Sequence, residues 1–283
     1  MKSYDILSFG FSSLTQRKLR SWLTVIGIVI GIASIVALIS IGEGAQARIT
    51  SQLSNLGADI ITVTPGFERA AGSFRGGFGG FAGSGRNVNL TEDDIRVIKS
   101  TQGVLYVNGI VSGRADLAYL GESAGANILG MDTSVWHLME TAPLGSGRLL
   151  SPGDAGSIVI GDRIANQVFK QPVEINRQVD IGGKMFRVVG IFQASGSAGQ
   201  QDSAIYMSRE DARQLLDLPA KKVTSVSIKV ADAAQVSEIA TQLEDKLKIT
   251  RHVQNGRQDF TVTTAQAIQT QVSSVTSTFT LFL

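Results

Sequence analysis

The chain has 283 residues, 43% of them hydrophobic, which is enough for one sizeable domain or two small ones with real cores. Lysine and arginine total 26 against 24 acidic residues, and this balance argues against a nucleic-acid partner, which would require a basic surface. The chain has no cysteine, which excludes disulfides and thiolate metal sites, and its two histidines, His137 and His252, lie too far apart in sequence to favour a histidine-rich metal site. We therefore expect this chain to bind no cofactor or metal.

The first 22 residues mix apolar with basic side chains, as does a helix that lies along the inner leaflet of a membrane. We predict a cytoplasmic interfacial helix over 1–22 that contacts membrane lipid, although a simple membrane anchor explains the same residues. Three basic residues, Arg17, Lys18 and Arg20, directly precede an apolar segment, whereas the twenty residues after that segment contain only Arg48. Because basic residues stay on the cytoplasmic side, the N-terminus is predicted to lie in the cytoplasm and the residues after the apolar segment to lie on the other side of the membrane.

Residues 23–41 carry no charge, and at about 1.5 Å per residue they cover a hydrocarbon layer of about 30 Å. We predict a transmembrane helix here and an outward stalk helix over 42–57. A cleaved signal peptide is the alternative, because residues 45–47 read Ala-Gln-Ala and fit a cleavage site. The apolar segment is long for a signal peptide, whose apolar region usually has about 7–15 residues.

Gly27 and Gly31 form a G-x-x-x-G pair inside the predicted span. Such a pair places both glycines on one helix face, where a second membrane helix can approach closely. Glycine is also common in spans without this role. Both residues are nevertheless our candidates for helix packing.

The residues after the span predict a domain of two lobes. Alternation of strand and helix patterns over 58–114 and 222–263 indicates an α/β lobe, and short strands over 115–221 indicate an inserted β-rich lobe. Residues 264–283 keep helical spacing and end in an apolar run, which predicts a second stalk helix leading to a span that is cut off. The predicted fold is a membrane protein with an N-terminal transmembrane helix and an α+β extracytoplasmic domain.

Local signals place several elements within these lobes. Residues 104–111 and 116–120 read as two separate strands, and residues 162–169 as the one helix between 115 and 207. Residues 66–87 hold eight glycines and predict a mobile loop, without the lysine or glycine spacing of a nucleotide site. Two helix starts and one hairpin turn are predicted from Thr91 with Asp94, Ser208 with Asp211, and the pair Gly182-Gly183.

Residues 121–125 match G-x-S-x-G, the pattern of a serine nucleophile at the end of a strand. Such a serine opens a helix, whereas residues 126–130 read as a strand, which favours a hairpin loop over 121–125. A membrane-anchored serine hydrolase that uses Ser123 and His252 stays open as a minor alternative.

Several segments, taken in order, resemble the MacB-type permeases of ABC transporters, a family that includes macrolide exporters, lipoprotein-extracting permeases and FtsX-like proteins. The most specific are RKLRS (17–21), LTVIGIVIG (23–31), SIGEG (40–44), LGAD (56–59) and VTPG (63–66). Three more, GRLL (147–150), VIG (159–161) and VVGIF (188–192), look like the extracytoplasmic core of that family.

This resemblance implies a four-span permease of the inner membrane whose outer domain lies between spans one and two. It also implies a second permease copy, a homodimer or heterodimer partner, and an ABC-type ATPase that uses ATP and moves the outer lobes through the stalk helices. A periplasmic or extracellular adaptor is a further expected partner.

The chain departs from the pattern by ending at Leu283, before spans two to four, so we expect a truncated chain. It also lacks the G-x-x-x-x-G-K-[ST] motif, so the chain is expected not to be an enzyme. A single-pass membrane-anchored adaptor or sensor is the alternative function, because it shares every local feature.

Overall fold

The chain divides into two units, which comprise residues 1–50 with 270–283, and residues 51–269. The structure is a computed structural model that describes residues 18–56, 59–66, 89–195, 201–253, 258–270 and 274. Within the first of these ranges, side chains are described for residues 22–42 and 44. The predicted mobile loop and most of the predicted interfacial and second stalk helices therefore lie outside the described residues.

The N-terminal described element is one helix, α1 (Lys18–Leu56). Its stretch Trp22–Gly42 is, among the described residues, the one helix segment long and apolar enough to cross a membrane. The apolar side chains of this stretch are exposed, at 69% for Leu23 and 68% for Ile41, as a lipid-facing surface requires. Residues 18–22 do not form a separate interfacial helix as predicted. They continue directly into the span, because no proline or glycine interrupts the helix before Gly27.

The remaining elements belong to the domain. The strands are β1 (Ile60–Pro65), β2 (Leu90–Thr91), β3 (Val104–Tyr119), β4 (Glu122–Met131), β5 (Leu144–Gly147), β6 (Ser157–Ile160), β7 (Gln178–Ile181), β8 (Lys184–Phe192), β9 (Ala204–Ser208), β10 (Lys222–Val223), β11 (Ser225–Val230) and β12 (Phe260–Thr264). The helices are α2 (Glu92–Lys99), α3 (Thr133–Met139), α4 (Asp162–Asn166), α5 (Arg209–Leu215) and α6 (Val236–Arg251), with 3₁₀ turns at Gln201–Ser203 and Ala233–Gln235. Residues 265–270 are also helical.

Four antiparallel strands, in the order β12-β1-β11-β3, form the sheet of the α/β part of the domain. Alternate side chains on these strands, such as Ile61, Val63 and Ile228, are fully buried. They pack with the apolar faces of α2 and α6, which contribute Ile98 and Leu243. This core has two layers, a sheet and a pair of helices. Buried residues alternate with less buried ones along β1 and β11, and the buried residues of α2 and α6 recur at helical spacing.

The β-rich part is a closed barrel. Strand β3 pairs with β4, then β9, β6, β8 and β7 follow, and β7 pairs again with β3. All six strands send buried side chains into one cluster, including Leu117, Ile128 and Ile181. Closure removes the open edges that a sheet of short strands would otherwise expose. The sequence predicted a β-rich lobe without indicating that it closes.

Strand β3 is shared by the sheet and the barrel. It pairs with β11 as far as Ile110 and with β4 from Val111 onward. The prediction of two strands, 104–111 and 116–120, is therefore wrong, and the predicted lobe border at 114 and 115 falls inside one strand. Residues 112–115 carry no apolar alternation, but each pairs in register with β4, so the ladder continues without a break.

Three local predictions are corrected. Helix α3 was not predicted, although Asp132 caps it by accepting a hydrogen bond from the Ser134 amide at 3.1 Å. Helix α4 ends at Asn166 rather than at 169. The hairpin between β3 and β4 turns at Leu120 and Gly121, both with positive φ, so residues 122–125 belong to β4 rather than to a loop.

The predicted caps and the glycine hairpin are confirmed. The Thr91 amide donates to Asp94 Oδ2 at 2.8 Å at the start of α2, and the Asp211 amide donates to Ser208 Oγ at 3.0 Å at the start of α5. Gly182 and Gly183 have φ values of 57° and 82°, as the turn between β7 and β8 requires.

Candidate functional site: the paired connections and the ion pairs that support them

The first and last strands of the domain lie side by side at one edge of the sheet. Ile61 near the start of β1 is opposite Thr264 at the end of β12. Helix α1 ends four residues before β1 begins, and the helical residues 265–270 follow β12 directly. The Thr264 hydroxyl accepts a hydrogen bond from the Ala267 amide at 3.1 Å and so caps that helical segment. Both connections of the domain therefore leave it from one end of one strand pair.

A buried arginine fixes the start of β12 to helices α6 and α2. Arg251, the last residue of α6, binds Asp259 through Nε at 2.9 Å and Nη2 at 2.8 Å, directly before β12. Its Nη1 also binds Asp94 Oδ2 on α2 at 2.6 Å. The side chain of Arg251 is 10% exposed and that of Asp94 is 4% exposed. Bidentate, charge-assisted hydrogen bonds of this kind hold both partners in one geometry.

Electrostatics keep this arginine charged. Burial lowers the pKa of Arg251, but the hydrogen bonds that it donates to Asp259 and the charges of Asp94 and Asp259 outweigh this effect, so the pKa is raised overall. The positive charge thus persists despite desolvation. We call Asp94, Arg251 and Asp259 the arginine anchor.

A second ion-pair group joins the barrel to the α/β sheet. On α5, Arg213 Nη2 lies 2.6 Å from Glu92 Oε1 at the start of α2, and Arg209 Nη1 lies 3.5 Å from the same oxygen. Arg209 Nη2 also lies 3.7 Å from Asp132, the cap of α3. We call Glu92, Asp132, Arg209 and Arg213 the interlobe clasp. Through these ion pairs the two arginines of α5 join the start of α2 to the start of α3, so the clasp connects helices from both parts of the domain.

The interlobe clasp joins the two parts of the domain, but it also contains polar groups whose burial costs folding free energy. The Nε atoms of Arg209 and Arg213 are buried without a hydrogen-bond partner. Each such group costs about 1–3 kcal/mol. Gly109 makes room for the clasp, because an added Cβ would lie 3.0 Å from Arg209 Nη1. The charged contacts therefore fix a geometry that apolar residues would form at less cost.

The predicted packing residues Gly27 and Gly31 lie one turn apart on α1. Among the described residues, a Cβ added at either glycine would meet nothing within 4 Å. The glycines therefore serve no contact within the described chain, and their role in packing against a second helix stays a prediction. Of the predicted topology-setting residues, Arg17 lies outside the described residues, and Lys18 and Arg20 lie on α1 without described side chains.

The structure does not support a serine nucleophile at Ser123. This residue is exposed within β4, opposite Ala118, and no helix follows it. His252 is exposed at the C-terminal end of α6, with φ of 53°, in the other part of the domain. His137 is exposed on α3. Within the described ranges, no group of three or more histidine, aspartate or glutamate side chains could hold a metal ion.

Sequence reasoning missed the arginine anchor and the interlobe clasp. Arg251 and Asp94 are 157 residues apart, and Arg213 and Glu92 are 121 residues apart. Acidic residues in the first turn of a helix are explained locally by the helix dipole and by capping. No local pattern distinguishes Glu92 or Asp94 from such ordinary residues.

A family profile described as "MacB-like periplasmic core domain" matches residues 21–246. The chain belongs to this family. The resemblance found in the sequence is thereby confirmed.

The MacB-like relatives include the macrolide export ATP-binding/permease protein MacB of Bdellovibrio bacteriovorus, which is 28% identical over 282 residues, 97% of this chain and 42% of that protein. An uncharacterised ABC transporter permease of Methanocaldococcus jannaschii is 28% identical over all of this chain and 67% of its own length. The chain thus spans less than half of the MacB relative.

Among solved structures, the periplasmic region of MacB from Actinobacillus actinomycetemcomitans superposes with a TM-score of 0.60, at 18% identity, over 80% of this chain and 98% of that one. This likeness shows the fold of the domain. The predicted fold class, an N-terminal apolar helix followed by an α/β domain of the MacB periplasmic type, is confirmed.

Proposed function

We propose that this chain is part of a permease subunit of an ABC transporter, anchored in the cytoplasmic membrane by α1 with its N-terminus inside. Its MacB-like domain then lies on the extracytoplasmic side, where it transmits movement for export or a related task. Arg17, Lys18 and Arg20 set this orientation, since basic residues stay on the cytoplasmic side. Family membership and the apolar helix ahead of the domain support this proposal.

The observation that carries the proposal is the pairing of β1 with β12. Five consecutive residue pairs join these strands, from Ile61 with Thr264 to Pro65 with Phe260. A displacement of either connection therefore pulls on the same edge of the sheet. The arginine anchor passes that displacement to α2 and α6, and the shared strand β3 passes it to the barrel. We therefore expect both parts of the domain to move together when the connections before β1 and after β12 are displaced.

The energy comes from a partner in this proposal. The chain has no Walker motif, so a separate or fused ABC-type ATPase binds and hydrolyses ATP. A second permease copy packs against Gly27 and Gly31 in the membrane. An extracytoplasmic adaptor protein is a further partner of the domain.

Co-purification with candidate ATPases tests the proposal. The full-length protein is reconstituted in lipid with each ATPase encoded near it, and the rate of ATP hydrolysis is compared with that of the ATPase alone. We expect one ATPase to form a stable complex and to change its rate. A triple substitution of Arg17, Lys18 and Arg20 by glutamine, which removes the orientation signal, is the control and should abolish the effect. A protein that inserts correctly but binds no ATPase would instead be a single-pass adaptor or sensor.

A further inference from the structure

A cavity of about 270 Å³ lies outside the barrel, beneath α3. Its walls come from both parts of the domain. Ile60 on β1 and Ser227 on β11 belong to the α/β sheet, whereas Leu129 on β4 and Tyr206 on β9 belong to the barrel. Helix α3 adds Met139. No feature of the proposed permease function accounts for this cavity.

The floor of the cavity is aromatic and rigid. Trp136 on α3 stacks on Tyr206 with ring centroids 5.5 Å apart and planes 12° apart. Phe192 packs edge-on against both rings, at 6.2 Å and 5.1 Å. These aromatic side chains are at least 95% buried. The floor therefore keeps its shape whether or not the cavity is filled, as a preformed binding site does.

One carboxylate is held at the rim in a fixed direction. Glu140 Oε1 accepts hydrogen bonds from the amides of Thr141 and Ala142 at 3.1 and 3.0 Å, and Oε2 accepts one from Trp136 Nε1 at 3.2 Å. Oε2 thus keeps a free lone pair. Among the described residues, no lysine or arginine forms an ion pair with Glu140, so its charge is not neutralised.

Neutral polar groups lie beside this carboxylate. Asn108 is 2% exposed, and its Oδ1 accepts from the Asp132 amide at 2.9 Å, while its Nδ2 contacts only the weak acceptor Met131 Sδ at 3.5 Å. Burial, together with the charges of Glu140 and Asp202, raises the pKa of the Tyr206 hydroxyl, which stays protonated. Because a sulfur is a weak acceptor, Asn108 Nδ2 can still donate a stronger hydrogen bond to a ligand or water in the cavity.

We propose that this cavity binds a small amphiphile with one protonated amine and a compact apolar body. The ammonium group donates to Glu140 Oε2, and the apolar body packs against Leu129, Met139 and the edge of Trp136. Asn108 Nδ2 donates to an acceptor atom of the ligand where it has one. The cavity is slightly smaller than the roughly 300 Å³ at which small-molecule pockets begin, so a single ring with a short chain is the size that fits.

The proposal does not depend on an ATPase partner, so it can be tested on the chain alone. The 283-residue chain has two tryptophans, Trp22 and Trp136, so its Trp22→Phe variant keeps only Trp136. In detergent, 2-phenylethylamine is titrated while Trp136 emission is recorded. The matched probe is 2-phenylethanol, which has the same shape without the charge. We expect saturable binding of the amine, at least tenfold tighter than that of the alcohol.

Two site variants and one control variant test the site in the same Trp22→Phe background. Glu140→Gln should weaken amine binding about tenfold, whereas Glu174→Gln, which removes an exposed carboxylate elsewhere on the domain, should leave it unchanged. Leu129→Phe, which fills the cavity and leaves Glu140 in place, should abolish binding while the far-ultraviolet circular dichroism stays the same.

Three results would overturn the proposal. The first is that Trp136 emission shows no saturable change with the amine. The second is that the amine and the alcohol give the same titration midpoint. The third is that Glu140→Gln and Glu174→Gln give the same titration midpoint for the amine.

Discussion

Ile61, the second residue of the first domain strand, lies directly opposite Thr264, the last residue of the final domain strand. The entry and the exit of the domain are therefore neighbours in one antiparallel ladder, although they lie 203 positions apart in the sequence. In a protein proposed to relay movement from the membrane, this pairing means that the two connections cannot be displaced independently without breaking hydrogen bonds between strands.

A disulfide across this pair tests its register. Thr62 and Thr263 are direct partners, and the alternation set by the Gly66 to Asp259 hydrogen bond makes them a hydrogen-bonded pair with Cα atoms about 5.5 Å apart. That separation suits a disulfide. We expect Thr62→Cys with Thr263→Cys to form one on mild oxidation, seen as a mobility shift that reductant reverses. Thr62→Cys with Thr261→Cys, offset by two residues, should form little. Equal yields from both pairs would show that the register is wrong.

The arginine anchor should be strongly stabilising. Arg251→Met leaves the buried carboxylate of Asp94 without its cation, and breaking a buried pair costs about 3–5 kcal/mol. The free energy of unfolding, measured with urea, should fall by about that amount. Arg96→Met removes an exposed pair with Asp93 on α2 and should cost less than about 1 kcal/mol. Similar losses in both variants would mean that the anchor is no stronger than a surface pair.

The interlobe clasp should hold the barrel against the α/β sheet. Glu92→Gln removes the charge that Arg209 and Arg213 share, and the loss of hydrogen bonds to a charged group costs roughly 1.5–3 kcal/mol. Amide hydrogen exchange should accelerate in α5 and at the start of α2 more than elsewhere in the domain. In Glu210→Gln, which alters an exposed carboxylate 3.9 Å from Arg213, exchange should stay near the wild-type rate. Unchanged exchange in Glu92→Gln would remove the case for a clasp.

The glycine pair on α1 should affect the association of two chains but not the folding of one chain. Gly27→Leu with Gly31→Leu adds side chains that meet no described residue, so the monomer should fold normally. If a second helix packs on this face, chemical crosslinking of the dimer in lipid should drop at least fivefold. Ala33→Leu, which lies on the opposite face of the helix, should leave crosslinking unchanged. An unaffected glycine variant would indicate that the membrane contact lies elsewhere.

The sequence predicted those parts of the fold that depend on neighbours in the chain. The uncharged run 23–41, the capping pair of Thr91 with Asp94 and the turn at Gly182 and Gly183 each act within a few residues, so their patterns are visible in the sequence. The same holds for α6, whose buried residues recur at helical spacing from Val236 to Leu247.

The parts that could not be predicted depend on distant pairing. Closure of the barrel requires β7 to pair with β3, which places Ile181 opposite Leu117 across 64 residues. The continuity of β3 through Gly113 is fixed by its partner Ile128 and by the side chain of Leu216, which fills the space above the glycine. Tertiary contacts of this kind decide strand boundaries that the apolar pattern leaves open.

The location of the domain relative to the membrane is the claim on which the proposed function depends. The chain has no cysteine, so one introduced thiol reports one position. Ile249→Cys lies on α6 at a side chain that is 75% exposed, and Ser3→Cys lies before the span. Both variants are treated with a membrane-impermeant maleimide in cells whose cytoplasmic membrane is intact. We predict labelling of Ile249→Cys at once and of Ser3→Cys only after permeabilisation; labelling of Ser3→Cys alone in intact cells would contradict the account.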